Sequence, residues 1–217
     1  MLPSEPLFHP GMKFIPLRIW WILFSMLIAP TILHIAGVPD VWALFVVEIL
    51  ALPACFAPLR QLGIKKVSPL DIFLVILITS GILILSGTVS VCWRMCLSKL
   101  GFNFPEKQMI AEIISKTNSY ELILLFVAIC IITPIVEEVL FRRLIYDFLK
   151  QWGEIIGFAG TSLLFAIIHF FIPGLPGLFI LGCGFQIIFL FRKNLTCSIL
   201  SHALVNSVAF AVNFHAN

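Results

Sequence analysis

Long apolar runs, separated by short polar or proline-containing breaks, make up most of this chain. Seven runs approach the ~20 residues that an α-helix needs to cross a bilayer. They cover about 17–37, 41–59, 70–91, 121 onward, 155–172, 178–191 and 195–214. The apolar residues are consecutive and do not alternate with polar ones, so the pattern favours helices over the strands of a membrane barrel.

Composition supports the same class of protein. Of the 217 residues, 60% are hydrophobic and 12% are charged, against ~25% charged in an ordinary soluble domain. The mean hydropathy is +1.09. The net charge of +3 comes without a basic run, so we expect no nucleic-acid partner. We predict an all-α, polytopic transmembrane bundle of about seven helices, an integral multi-pass membrane protein whose oligomeric state the sequence leaves open.

The chain divides into three parts. Residues 1–16 are proline-rich and lack the features of a cleaved signal peptide, so we expect a cytoplasmic N-terminal segment. Residues 17–120 hold the first membrane helices and a polar loop at 92–120, with one amphipathic helix in that loop. Residues 121–214 form the remaining helices, with a hairpin turn predicted near Trp152 and Gly153.

The basic residues indicate an orientation in the membrane. With the N-terminus in the cytoplasm, ten of the 14 Lys and Arg residues fall on the cytoplasmic side. The four on the other side are Arg94, Lys99, Lys107 and Lys116. This bias follows the positive-inside rule, so we predict a cytoplasmic N-terminus and an outside C-terminus.

A few strongly polar groups lie within the last four apolar runs. They are Glu137, Glu138 and Arg142 in the fourth run, His169 in the fifth, and His202 and Asn206 in the seventh. A charge at the bilayer centre costs at least ~2.5–3.5 kcal/mol, and such residues usually face one another or a water-filled cavity. They are therefore the candidate functional residues. Glu48, also in mid-run, matches no motif.

Helical spacing brings these groups together. Glu138 and Arg142 are four residues apart and can form an ion pair. At ~1.5 Å per residue, Glu138 and His169 differ in depth by only ~5 Å when counted from the predicted hairpin turn. We expect three helices to place two carboxylates, two imidazoles and an amide around one buried cavity.

This set of groups suits the addition of water to a carbonyl. A buried carboxylate can act as a general base, and a neighbouring arginine can keep a second carboxylate ionised. Imidazoles can share the base role, bind a metal or protonate a leaving amine, and an amide can donate to an oxyanion. No serine or cysteine stands in a nucleophile motif. Hydrolysis by activated water is therefore favoured over an acyl-enzyme.

Three motifs resemble those of one known family. The segment Glu137-Glu138-x-x-x-Arg142 is similar to the EExxxR motif of the type II CAAX prenyl protease family, also called CPBP or Abi. Its other two motifs, FxxxH and HxxxN, match Phe165-x-x-x-His169 and His202-x-x-x-Asn206, so the resemblance covers about 121–212. Many members have glycine after the motif arginine, where this chain has Arg143. We expect Arg143 to face the headgroups or to narrow the access route.

The resemblance implies an intramembrane endopeptidase that cleaves a hydrophobic or lipid-modified peptide near the cytoplasmic side of the membrane. It implies that Glu137 activates water with help from His169. It also implies that Glu138 supports the site in its pair with Arg142. His202 and Asn206 would stabilise the oxyanion or bind a metal. Both a metal-free glutamate mechanism and a zinc site of Glu137, His169 and His202 stay open, and zinc is the one cofactor considered.

Other interpretations compete with this one. The glutamates could form a solvated ion pair with Arg142 and Arg143 near the interface, His169 could be a packing residue, and His202 with Asn206 could join helices through hydrogen bonds. Phe165 packs in either case. At the level of function, the alternatives are a proton-coupled transporter and a non-catalytic membrane partner such as an immunity protein.

Overall fold

A computed structural model describes residues 16–57, 59–104 and 109–215. Apart from Pro16, the predicted N-terminal segment lies outside this range, and so do 105–108 of the predicted loop. The described residues form helices and no strands, which confirms the all-α prediction. The α-helices are α1 (Leu17–Leu27), α2 (Ala29–Ile35), α3 (Asp40–Cys55), α4 (Leu59–Leu62), α5 (Pro69–Lys99), α6 (Met109–Lys116), α7 (Ser119–Val127), α8 (Thr133–Glu138), α9 (Tyr146–Leu149), α10 (Glu154–Ile167), α11 (Leu175–Arg192) and α12 (Leu195–His215).

Five helical segments of the described chain are long and apolar enough to cross a membrane. They are Leu17–Ile35, Pro69–Lys99, Ser119–Trp152, Ile172–Arg192 and Leu195–Phe214. The second and fifth predicted runs form α3, with 16 residues, and α10, with 14. At ~1.5 Å per residue, both are shorter than a hydrocarbon core of ~30 Å.

The polar loop predicted at 92–120 is wrong over its first third. Helix α5 begins at a capping box of Ser68 and Asp71 and continues for 31 residues to Lys99. Its length of ~46 Å exceeds the hydrocarbon core, so the drop in hydropathy near Arg94 marks the end of the apolar region and not the end of the helix. The predicted helix within the loop is present as α6 and packs against α12.

Helix α10 is also shorter than predicted and ends at Ile167. His169 therefore lies in the turn that follows, and Phe170 adopts a left-handed conformation with φ of 48°. The chain then passes through a short 3₁₀ turn, Ile172–Gly174, into α11. The predicted hairpin turn before α10 is present, with Gly153 at a φ of 131°.

The motif glutamates lie in a continuous helical segment, Ser119–Trp152, that contains two π-helical stretches. The first is Ala128–Ile132 and the second is Val139–Ile145, so they flank α8 on both sides. Pro134 explains the first, because its ring would clash with the carbonyl four residues earlier in a regular α-helix. Single π turns of this kind often occur at functional sites.

The basic loops that were predicted to be cytoplasmic meet at one end of the bundle. The Leu195 N–H donates to the Gly63 carbonyl at 3.0 Å, and the Lys65 N–H donates to Asn194 Oδ1 at 3.1 Å. Arg143 donates to the carbonyl of Gln61 in the same segment. These bonds close this end of the bundle beneath the motif residues.

Candidate active site

Glu138 lies at the centre of the site and is fully buried. Arg142 Nε donates to its Oε2 at 3.0 Å, so the ion pair predicted from the spacing is confirmed. Ser198 Oγ donates to the same oxygen, and His202 Nδ1 lies 3.0 Å from Oε1. Both carboxylate oxygens are therefore engaged, and the charge of Glu138 is balanced by Arg142.

The guanidinium group of Arg142 is bonded through Nε and Nη1 and surrounded by aromatic rings, while its Nη2 forms no hydrogen bond within the described residues. Nη1 donates to Gln186 Oε1 at 3.2 Å, and the central carbon lies 5.6–6.0 Å from the ring centres of Phe141, Phe165 and Phe185. Contacts of a cation with ring faces gain strength when water is excluded. The carboxylate, the amide and three rings thus offset the cost of burying this charge.

The imidazole of His202 connects the two glutamates. Since the ionised Glu138 accepts at Nδ1, that nitrogen carries the hydrogen. The ring stacks on Phe185 with centroids 4.6 Å apart and planes at 17°. Its other nitrogen, Nε2, lies 3.8 Å from Glu137 Oε2. His202 is therefore fixed in one orientation, with Nε2 directed at Glu137.

Glu137 has a different environment from its neighbour. It is 4% exposed, and among the described residues nothing forms a hydrogen bond with its Oε2. A buried polar atom without a partner is rare, because each costs ~1–3 kcal/mol. Glu137 therefore keeps an oxygen available for a water molecule or a substrate.

Phe165 separates the buried groups from His169. Its ring is 4.8 Å from that of His169 on one side and 5.7 Å from that of His202 on the other. His169 is exposed, and its Nδ1 lies 2.7 Å from the Phe165 carbonyl. The structure thus places Glu137, Glu138, Arg142 and His202 together inside the bundle and His169 at its outer surface.

Asn206 has a structural partner. Its Nδ2 donates to the Ile129 carbonyl at 2.8 Å. In the π turn the Thr133 N–H donates to Ala128, and Pro134 has no N–H, so neither can donate to Ile129. The Asn206 amide therefore satisfies a carbonyl that the proline leaves without a backbone donor. This contact is more than one turn along α12 from His202.

Arg143 is buried and does not face the headgroups, so that alternative is wrong, and its narrowing of the access route stays a prediction. Its side chain is 3% exposed and lies 3.4 Å from Asp147, besides donating to Gln61. It ties the motif helix to the segment before α5. The alternative of a solvated ion pair at the interface is also wrong, because Glu137 and Glu138 are 4% and 0% exposed.

Sequence reasoning missed Gln186 and Ser198. Gln186 is fully buried in α11 and binds Arg142, while Ser198 in α12 binds Glu138. The sequence contains features that indicate both residues. Gln186 is the one amide in the apolar helix α11, and Ser198 lies four residues before His202, so it extends the polar face of α12.

The predicted zinc ligands are not gathered into one shell. Glu137 and His202 approach each other, whereas the ring next to His169 is that of Phe165. Within the described parts of the chain, no three His, Cys, Asp or Glu side chains come together in a group that could hold a metal. As arranged here, these three residues do not fit a three-ligand zinc site.

Comparison with known proteins bears on the motif region. Residues 119–208 match the family model described as type II CAAX prenyl endopeptidase Rce1-like. No curated protein matches the chain significantly, and no solved structure does. The match begins at α7 and ends within α12, so it covers the three helical regions that carry the motifs.

The matched range contains all three motifs. Together with the five apolar helices, it makes this chain an integral membrane protein with a CAAX-protease-like function. The match over residues 119–208 supports the CPBP or Abi family, which the three motifs resemble, for this part of the chain.

Proposed function

We propose that this protein is an intramembrane endopeptidase that hydrolyses a peptide bond with water activated by Glu137. One observation carries the proposal: two adjacent buried glutamates have opposite surroundings. Glu138 receives bonds from three side chains, whereas Glu137 keeps Oε2 without a hydrogen bond beside His202 Nε2. An ionised support next to an available base is the arrangement that general base catalysis requires.

The reaction follows from these positions. Glu137 takes a proton from water while the water oxygen bonds to the scissile carbonyl carbon. The product of this attack is a tetrahedral intermediate that carries an oxyanion. Glu137 then returns the proton to the leaving amine nitrogen as the C–N bond breaks. The pair of Glu138 and Arg142 keeps His202 in one tautomer throughout.

We assign His169 and Asn206 different parts in this reaction. His169, exposed at the surface beside Phe165, is placed to contact the substrate carbonyl as it enters. Asn206 holds the π turn that precedes Glu137 through its bond to Ile129. Its contribution is therefore the position of the base.

Zinc stays a separate hypothesis. A zinc ion would polarise the scissile carbonyl, and its predicted ligands are Glu137, His169 and His202. Because these three do not form a ligand group here, no step of the proposed reaction depends on a metal. Loss of turnover with a chelator, followed by recovery with zinc, would contradict the metal-free mechanism.

The proposed substrate is a hydrophobic or lipid-modified peptide that reaches the site from the membrane. The segments around the site expose large apolar side chains, among them Ile131, Ile167 and Phe170. The end of the bundle nearest the site collects Arg143, Lys65 and other basic residues, which supports a cytoplasmic position for this end and for the N-terminus.

The test is cleavage of a quenched lipidated-peptide library by purified protein in liposomes. We expect internal peptide bonds to be cut, which mass spectrometry of the products would show, with equal rates in the presence and absence of chelator. The transporter alternative predicts solute movement in the same liposomes without peptide products. Absence of cleavage by folded protein across a broad library would contradict the proposed function.

A further inference from the structure

Glu48 is a buried carboxylate outside the region that the family model covers. It lies in the middle of α3 and is 8% exposed. Its Oε1 accepts a hydrogen bond from Thr133 Oγ1 at 2.6 Å. This bond joins α3 to the first residue of α8, the helix that carries the motif glutamates.

The position of Thr133 places Glu48 beside Glu137. Thr133 and Glu137 are four residues apart in α8, so they lie on the same face of the helix, one turn from each other. Helices α3 and α8 are packed together, and the Thr133 bond brings Glu48 to the face of α8 that carries Glu137. Glu48 therefore lies next to the cluster, on the face of α8 that carries Thr133 and Glu137.

Each of these two glutamates has one buried oxygen that forms no hydrogen bond within the described residues. The two atoms are Glu48 Oε2 and Glu137 Oε2. Buried polar atoms of folded proteins are almost always paired, and an ordered water is the usual partner where the protein offers none. A single water molecule has two hydrogens and can donate to two such acceptors at once.

We propose that Glu48 is a positioning residue that binds, together with Glu137, the water molecule used in hydrolysis. This inference rests on the proposed function. The water donates one hydrogen to Glu48 Oε2 and the other to Glu137 Oε2. Its lone pair is thereby turned away from both carboxylates and toward the substrate carbonyl. Glu137 removes the proton that it holds, and the hydrogen directed at Glu48 stays on the attacking oxygen.

The substitution Glu48→Gln separates this role from packing. The glutamine keeps the size of the side chain and can still accept from Thr133 through its amide oxygen. The amide nitrogen then replaces Oε2, and it donates to the water where the carboxylate accepted. Since misplacing a reacting group costs up to ~100-fold, we expect kcat to fall about 10- to 100-fold with KM and unfolding temperature unchanged.

Glu121→Gln is the matched control. Glu121 lies in the first turn of α7, bound to Asn118, and is separated from Glu137 by ~24 Å along the same helical segment. The same chemical change there should leave kcat unchanged. A Glu48→Gln enzyme with wild-type kcat would overturn the inference. So would equal losses in Glu48→Gln and Glu121→Gln.

A double substitution tests whether Glu48 acts through the water that Glu137 activates. In Glu137→Gln that water is no longer deprotonated, so adding Glu48→Gln should cause no further loss of turnover. Multiplied losses would show that Glu48 acts independently and would contradict the inference. Absence of turnover in the wild type would instead contradict the proposed function, which keeps the two failures distinct.

An experimental structure at high resolution gives a second readout that needs no substrate. We expect one water within hydrogen-bond distance, ~2.5–3.0 Å, of both Glu48 Oε2 and Glu137 Oε2. A cation bound by both carboxylates, or a direct hydrogen bond between them, would overturn the assignment of this position to water.

Discussion

At the residue scale, Glu137 and Glu138 have the same side chain at consecutive positions, yet their hydrogen-bond partners differ. Glu138 points toward α12 and meets Ser198 and His202, while Glu137 keeps an oxygen without a hydrogen bond. The cost of burying the first carboxylate is offset by its ion pair with Arg142. Burial of the second carboxylate, that of Glu137, should lower stability, and in the proposed mechanism this carboxylate is the base.

This difference predicts opposite effects of two isosteric substitutions on stability. Glu138→Gln leaves Arg142 buried without its counter-ion, and breaking a buried pair in this way costs about 3–5 kcal/mol. The unfolding temperature in detergent should drop markedly. Glu137→Gln removes a carboxylate that has no hydrogen bond at Oε2, so its unfolding temperature should equal or exceed that of the wild type. A higher unfolding temperature for Glu138→Gln than for Glu137→Gln would contradict the supporting role of Glu138 and the catalytic role of Glu137.

Much of the site could be predicted from single residues, because an ionisable group in an apolar run is conspicuous. Glu137, Glu138, Arg142, His169, His202 and Asn206 were identified in this way. Gln186 was not predicted because its amide is not ionisable, although it binds Arg142. The partner of Asn206 could not be foreseen, since it depends on a π turn that hydropathy does not reveal.

At the scale of elements, Pro134 sets the position of the motif helix. It prevents a regular α-helical turn and leaves the Ile129 carbonyl for Asn206. Pro134→Ala restores a backbone N–H and makes the wide turn unnecessary. Returning to regular α-helix would rotate α8 relative to the preceding residues and move Glu137.

We therefore expect Pro134→Ala to lower kcat about 10- to 100-fold, the cost of displacing a catalytic group. Stability should hold or rise, since proline inside a helix costs ~3 kcal/mol. Turnover and thermal unfolding of the purified variant would measure both quantities. Loss of stability with unchanged kcat would show that the π turn serves packing alone.

Close approach of α10 and α11 supports the aromatic cage around the site. A Cβ atom on Gly182 would lie 3.0 Å from the Ser162 carbonyl oxygen and 3.3 Å from the Phe165 ring. Gly81, in α5, has open space around the same position. Replacing each glycine with alanine therefore adds the same methyl group at a closely packed position, Gly182, and at an open position, Gly81.

Gly182→Ala should destabilise the protein by about 1–3 kcal/mol and lower turnover, because overpacking forces Phe165 away from Arg142. Gly81→Ala should be neutral or slightly stabilising, since alanine is the better helix former. Thermal unfolding of both variants in one detergent is the measurement. Equal behaviour of the two would contradict the close packing of α10 on α11.

Helix existence could be predicted better than helix ends. Each of the seven apolar segments predicted from hydropathy contains a helix. Hydropathy indicates which residues are apolar, but it does not indicate where the helical backbone begins or ends. Helix α5 continues to Lys99 beyond the apolar region, and α10 ends at Ile167 within its own. The second of these differences matters for function, because it leaves His169 in a turn at the surface.

At the scale of the whole molecule, the bundle has a closed basic end and a buried polar centre. Bonds from Asn194 and Leu195 to Lys65 and Gly63 hold the connecting segments across that end. The polar centre lies roughly 10 Å above the start of α12, measured to His202 at ~1.5 Å per residue. The proposed substrate, a peptide dissolved in or anchored to the membrane, would reach this centre between helices.

The central claim is that Glu137 activates the water that cleaves the peptide. The most direct measurement is kcat/KM of Glu137→Gln on one cleaved lipidated peptide, with Glu121→Gln as control and unfolding temperature as the check on folding. Loss of the general base should lower kcat/KM at least about 100-fold while the protein stays folded. Turnover within a few-fold of the wild type in a folded Glu137→Gln protein would contradict the account.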